Sequence, residues 1–126
     1  MEYKVRVNIN NFIYFYIMHT ILIKPLSVNE AWQGKRFKSN KYKIYETAVL
    51  LLLPKIKIVE PPYRLNLIVG FSNKASDIDN ILKPFLDILQ KKYGINDKHI
   101  EILHIEKQIV KKNNEFICFE IVEIKK

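Results

Sequence analysis

The sequence has a single cysteine, Cys118, and three scattered histidines. One thiol excludes a disulfide framework, and the set excludes a Cys/His zinc constellation. Cys118 sits inside an apolar strand-like run, which points to a buried thiol in a reducing compartment, hence the cytoplasm. Acids are short relative to bases, 13 Asp+Glu against 21 Lys+Arg, for a formal net charge of +8. That balance fits a polyanionic partner, nucleic acid above all, with a solvated basic surface as the plainer reading. Long apolar runs are also missing. The best candidate, N-N-F-I-Y-F-Y-I over 10–17, is too short to span a bilayer, is interrupted by tyrosine and precedes no small-residue cleavage site, so no membrane span or signal peptide is expected there. There is no repeat, low-complexity tract or linker, and 126 residues with 48% hydrophobic content suffice for one domain with its own core.

Aspartate is scarcer still, and all of it, Asp77, Asp79, Asp87 and Asp97, falls within 76–97, S-D-I-D-N-I-L-K-P-F-L-D-I-L-Q-K-K-Y-G-I-N-D. A negative pocket in a positive field is what a cation-dependent enzyme acting on phosphates requires. Asp77 and Asp79 are two apart, so in an extended or turn-like segment they point the same way and can share a hard cation. Asn80 follows as a neutral oxygen donor or helix cap. Asp79, Lys83 and Asp87 recur at i, i+4 and i+8 and line one helix face, with acid ahead of base. Gly94 ends that helix, and Asp97 comes after it. Each residue also has a plain structural use: Asp79 or Asn80 as an N-cap, Lys83 and Asp87 as a solvated pair worth about 0.3 kcal/mol, Asp97 as a turn residue.

As a set, D-I-D-N-x-x-K-P-x-x-D-x-L, then G-I-N-D-x-x-I, then Lys107, resembles the RusA-type Holliday junction resolvases, metal-dependent endonucleases of phage and prophage recombination and DNA repair. Pro25-Leu26-Ser27-Val28-Asn29 is similar to the P-x-S-x-N segment near that family's N-terminus, so the resemblance runs from about His19 to the C-terminus. It implies catalytic, metal-binding carboxylates at Asp77, Asp79 and Asp97 and an essential lysine at Lys83. It further implies one or two Mg²⁺ ions, with Mn²⁺ as a substitute, a four-way DNA junction as substrate, and a homodimer; no organic cofactor is expected. Where the family often has two successive acids this chain has Asn96-Asp97, leaving Asn96 as a weaker oxygen donor. Residues 18–126 then form the endonuclease-like domain, and 1–17 is an N-terminal extension, either a strand or a surplus start ahead of Met18. Three further classes stand beside this one: a DNA-binding or regulatory module without catalysis, a less selective nuclease for flaps, single strands or RNA, and, more distantly, a membrane-surface protein.

Basic residues interleave with rings in G-K-R-F-K-S-N-K-Y-K, 34–43. Charge for phosphates and flat surfaces for bases make Lys35, Arg36, Phe37, Lys38, Lys41 and Lys43 candidates for DNA contact, with Asn80 and Lys107 beside them. Periodicity predicts a strand over 20–24 ended by Pro25, a turn at Ser27–Asn29, and a helix over 39–53 with Tyr42, Tyr45, Val49 and Leu52 inward. It predicts a strand over 63–71 with one buried face and a helix over 79–92. A strand over 100–109 follows, with a bulge near Ile102 and Leu103, then a hairpin turn at 111–114 and a well-covered strand over 115–124. The expected fold is a small single α+β domain, a mixed sheet with two main helices, RusA-like in the family's terms.

Overall fold

The strand predicted over 63–71 is the organising element. The computed structural model describes the backbone of residues 2–33 and 37–125, with side chains for all of these except 2–9, 12–17, 33 and 37. In β5 (Tyr63–Phe71) the alternate residues Tyr63, Leu65, Leu67, Val69 and Phe71 are at most 5% exposed. The side chains of Leu65, Leu67, Val69 and Phe71 join two helices, α2 (Asn40–Leu52) and α3 (Leu82–Tyr93), in one continuous core. The opposite face, expected to be open, is covered at Ile68, which packs with Met18 and Cys118.

Five strands make the main sheet, in the order β1 (Glu2–Ile9), β2 (Phe12–Ile21), β7 (Phe116–Glu123), β5, β6 (Ile100–Ile109). β5 is parallel to β6 and antiparallel to β7. The sheet is therefore mixed, and with α2, α3 and a one-turn α1 (Val28–Ala31) the chain is a small α+β domain. β3 (Trp32–Gln33) and β4 (Phe37–Lys38) form a separate antiparallel pair.

Within 1–17 the chain makes two strands where one was expected. Asn10 and Asn11 have φ of 53° and 66°, the left-handed pair of a tight two-residue hairpin, a conformation asparagine tolerates better than most residues. The strand expected over 20–24 lies upstream, because the ladder to β7 stops at Ile21. Ser27 opens α1 instead of a plain turn, its carbonyl accepting from the Glu30 and Ala31 amides.

Both main helices begin and end for legible reasons. Ser39 caps α2 by accepting from the Tyr42 amide at 3.1 Å. Tyr42, Tyr45 and Val49 point inward, but the fourth inward residue is Leu53 and not Leu52, which is 46% exposed. The helix stops at Leu52, and the extended Leu53 turns its side chain back to the core. The helix expected from Asp79 begins at Leu82, after a 3₁₀ turn over Ile78–Ile81. Pro84 is thus in the first turn of α3, where no intrahelical acceptor waits for an N–H. Gly94, at φ 69°, closes α3 in the left-handed conformation and donates to the Gln90 carbonyl.

Residues 111–114 do turn, with Asn113 at φ 73° and the Asn114 amide bonded to the Lys111 carbonyl. They do not close a hairpin. β6 runs parallel to β5, so the chain crosses β5 to lay β7 against its far edge. The irregularity foreseen at 102–103 falls earlier, at Glu101, since Tyr63 faces Ile100 and Arg64 faces Ile102.

Candidate functional site

β5 hands the chain at Phe71 to a loop fixed from three directions. The Ser72 hydroxyl donates to Glu115 Oε2 at 2.9 Å. The Asn73 side chain accepts from the Ala75 amide at 2.9 Å, a local turn bond typical of asparagine. Lys107 Nζ, reaching over from β6, donates to the Lys74 carbonyl at 2.8 Å and the Ser76 carbonyl at 2.6 Å, and lies 5.6 Å from the centre of the Phe71 ring. Lys107, foreseen at DNA, is thus tied to the backbone that leads into the acidic segment.

Asp77 follows in extended conformation, and its carboxylate and carbonyl both accept from Asn80, from Nδ2 and from the amide, each at 3.3 Å. Asp77 and Asn80 line a cavity of about 330 Å³ together with Lys24, Ser27, Glu30 and Glu115. The P-x-S-x-N segment and the D-x-D-N segment therefore meet in space. Glu115 is nearly buried, and its carboxyl is held below the usual glutamate value by its own backbone N–H first and the Ser72 hydroxyl next. Sequence reasoning missed this residue, because an acid at the mouth of an apolar strand reads as ordinary turn chemistry.

Asp79 is exposed in the 3₁₀ turn, two residues from Asp77. Lys83, in the first turn of α3, is 3.5 Å from Asp87 in an i, i+4 pair. Of the basic stretch, Lys35 and Arg36 lie outside the described residues, as does the Phe37 side chain. Lys38 pairs with Glu46 at 3.6 Å and lies 4.6 Å from the centre of the Tyr42 ring. Lys41 pairs with Glu30 at 3.4 Å, and Lys43 is exposed. Because Glu30 also lines the cavity, the basic stretch borders the acidic segment.

Asp97 does not join Asp77 and Asp79. It opens a 3₁₀ turn, Asp97–His99, that leads into Ile100, the residue facing Tyr63 at the start of β5. Asp77 and Asp79 come after Phe71, at the other end. Nine residues of parallel strand span about 26 Å, whereas oxygens sharing a cation sit within about 2.6 Å of it. The Asp97 amide donates to Gln90 Oε1 at 3.1 Å, near the C-terminal end of α3. Asn96, foreseen as a weak oxygen ligand, caps this turn by accepting from the Lys98 amide at 3.1 Å. Among the described residues no three His, Cys, Asp or Glu side chains are grouped to hold a metal. Asp77 and Asp79 remain two residues apart at the exposed turn, and one or two carboxylates with water or phosphate completing the shell are the usual protein share of a Mg²⁺ site. Among the described residues no helix is long and apolar enough to cross a membrane. Neither a scan of protein-family models nor a search of curated proteins finds a match to this chain.

Proposed function

We propose that this chain is a Mg²⁺-dependent endodeoxyribonuclease that resolves four-way DNA junctions by paired phosphodiester hydrolysis. The observation that carries the reading is the placing of two exposed carboxylates, Asp77 and Asp79, on a braced loop beside a polar cavity in a chain of net charge +8. The junction as substrate rests on the RusA resemblance.

Bound there, Mg²⁺ supplies Lewis acidity toward a phosphate oxygen and a water. Asp77 and Asp79 offer the anionic oxygens, and Asn80 fixes the orientation of the first. Lys83 stands four residues beyond Asp79, and exchanging Asp87 for a phosphate oxygen places its charge where negative charge builds during cleavage. Lys38, Lys41 and Lys43 track the phosphate backbone, which positions DNA without reading its sequence. Two matched incisions in a two-fold junction call for two matched sites, as a symmetric dimer presents.

The test is a labelled four-way junction against a linear duplex of equal length, each with Mg²⁺ or chelator. Junction-selective cutting that needs Mg²⁺ is the expected result. A second reading, a DNA-binding module without catalysis, is favoured by the use of Asp77 in a turn with Asn80 and of Lys83 in a surface pair. It predicts retention of both DNAs with no product, and that result overturns the enzyme.

A further inference from the structure

We propose that the outward face of α2 docks an acidic amphipathic helix of another protein. The proposal stands apart from the nuclease reading, because its residues lie outside the acidic segment and its test needs no cleavage.

α2 is apolar on two faces. Tyr42, Tyr45 and Val49 fill the core, as a helix packed on a sheet requires. On the other side Ile44, Thr47, Ala48 and Leu51 recur at i, i+3, i+4 and i+7, the spacing of a second stripe. Ile44 is 72% exposed and Leu51 82%, with the exposed Leu52 beside them. The Thr47 hydroxyl donates to the Lys43 carbonyl at 3.0 Å, so it is already satisfied within its own helix. α3 shows the ordinary arrangement, with Lys91 and Lys92 at its surface. A helix apolar all round belongs in an interior, and the outer half of that interior is what a partner would complete.

Charge selects the partner. Between 40 and 57 the one acid is Glu46, and it is committed to Lys38 at 3.6 Å and Lys91 at 3.1 Å. Lys43 precedes the stripe and Lys55 and Lys57 follow it, all three exposed, while Lys92 reaches the Leu50 carbonyl at 3.4 Å beside its last turn. An apolar strip with basic ends fits a surface that is apolar along its middle and acidic at its margins. DNA meets the lysines and offers the aliphatic side chains nothing. A second copy sets lysine against lysine. An anionic bilayer matches the charge, but the stripe is short, about 12 Å from Ile44 to Leu52, and has no aromatic residue to sit among headgroups. It is also notched, because the small Ala48 stands one turn from both Ile44 and Leu51. A notch between large side chains is a hole for a knob, which a helix supplies and lipid does not.

The probe is a synthetic, fluorophore-labelled peptide of about five helical turns, with leucines repeating at i, i+3, i+4 and i+7 and glutamate elsewhere, titrated against the full chain by anisotropy. A control peptide has the same composition with its leucines spread around the helix. The amphipathic peptide is expected to bind about tenfold more tightly than the control, and less tightly as salt rises. Leu51→Glu and Ile44→Glu should each weaken it about tenfold, the worth of one aliphatic side chain buried at an interface. Leu22→Glu, at another exposed leucine outside the helix, should leave it unchanged. Since both helix positions face solvent, their variants should keep the native urea midpoint, which separates lost docking from lost fold. No binding, equal binding of the two peptides, or binding indifferent to both helix variants overturns the proposal. Vesicles of phosphatidylserine and phosphatidylcholine in equal parts are run beside the peptide. If they alone bind, and Leu51→Glu releases them, the face belongs to lipid and the proposal is overturned. A native dimer that Leu51→Glu renders monomeric gives the face to a second copy, with the same result.

Discussion

Replacing Lys107 with methionine keeps an unbranched apolar stem and removes the ammonium that holds the loop before Asp77. Two hydrogen bonds are lost, to the Lys74 carbonyl at 2.8 Å and the Ser76 carbonyl at 2.6 Å, together with the charge above Phe71. A bond with one ionised partner contributes about 1.5–3 kcal/mol. The Lys74 carbonyl is exposed and recovers a water, so its bond counts for little; the Ser76 carbonyl is partly buried and counts for more. The expected loss of stability is therefore about 2 kcal/mol, well short of the sum of two such bonds. Urea unfolding measures it as a lower midpoint with unchanged slope. Amide exchange over 74–80 should quicken by more than global unfolding accounts for, since the loop opens locally once untied. Cleavage per folded molecule should fall as Asp77 loses its fixed approach. A variant within about 0.3 kcal/mol of native stability, with native exchange across the loop, refutes the bracing role.

Asp77→Asn and Asp79→Asn should each weaken Mg²⁺ binding and cleavage together, while affinity for DNA without metal holds or rises; Asp87→Asn, paired with Lys83 and away from the cavity, should keep substantial activity. Calorimetric Mg²⁺ titration beside the junction assay checks both, and native cutting by a well-folded Asp77 variant refutes the site. A chain beginning at Met18 should melt cooperatively, because β2 meets β7 only through His19, Thr20 and Ile21, and 2–17 otherwise pairs within its own hairpin; a broad, non-cooperative melt contradicts this. Cys118 should resist thiol reagents in the native protein and react on unfolding, since it is fully buried and that burial pushes its thiol up against the opposing pull of the Thr20 hydroxyl. Rapid labelling at pH 8 would contradict that placement.

Local chemistry was the legible part of this chain. The alternation of Leu65, Leu67 and Val69, the Ser39 cap and the left-handed Gly94 each need only their neighbours, and each is where periodicity and turn chemistry place it. What escaped depends on residues distant in sequence. An asparagine-rich turn at 111–114 looks the same whether or not its flanking strands pair, and only the parallel β5–β6 ladder decides that they do not. Lys107 among exposed positions gives no sign that two carbonyls some 31 and 33 residues back will claim it. The motif likewise sets Asp97 eighteen positions after Asp79, but α3 returns the chain along β5 and separates the two. Burial of the second β5 face by Met18 and Cys118 draws on both ends of the chain at once.

The central position of β7 has a consequence for synthesis. It is made after the other described strands, yet among them it alone links the β1–β2 hairpin to the β5–β6 pair, joining Thr20 to Cys118 across 98 positions. Until it leaves the ribosome the nascent chain holds two partial sheets with nothing between them. Each shows an inner edge that later becomes interior, and β5 carries Leu67, Val69 and Ile68 on faces meant for cover. The sheet closes only once β7 has emerged, through contacts of long sequence separation that form slowly. During that interval its open edges are exposed to other nascent chains and to chaperones. Loss of 116–123 should therefore cost far more than one strand's share of the sheet, because it removes the link between the two halves.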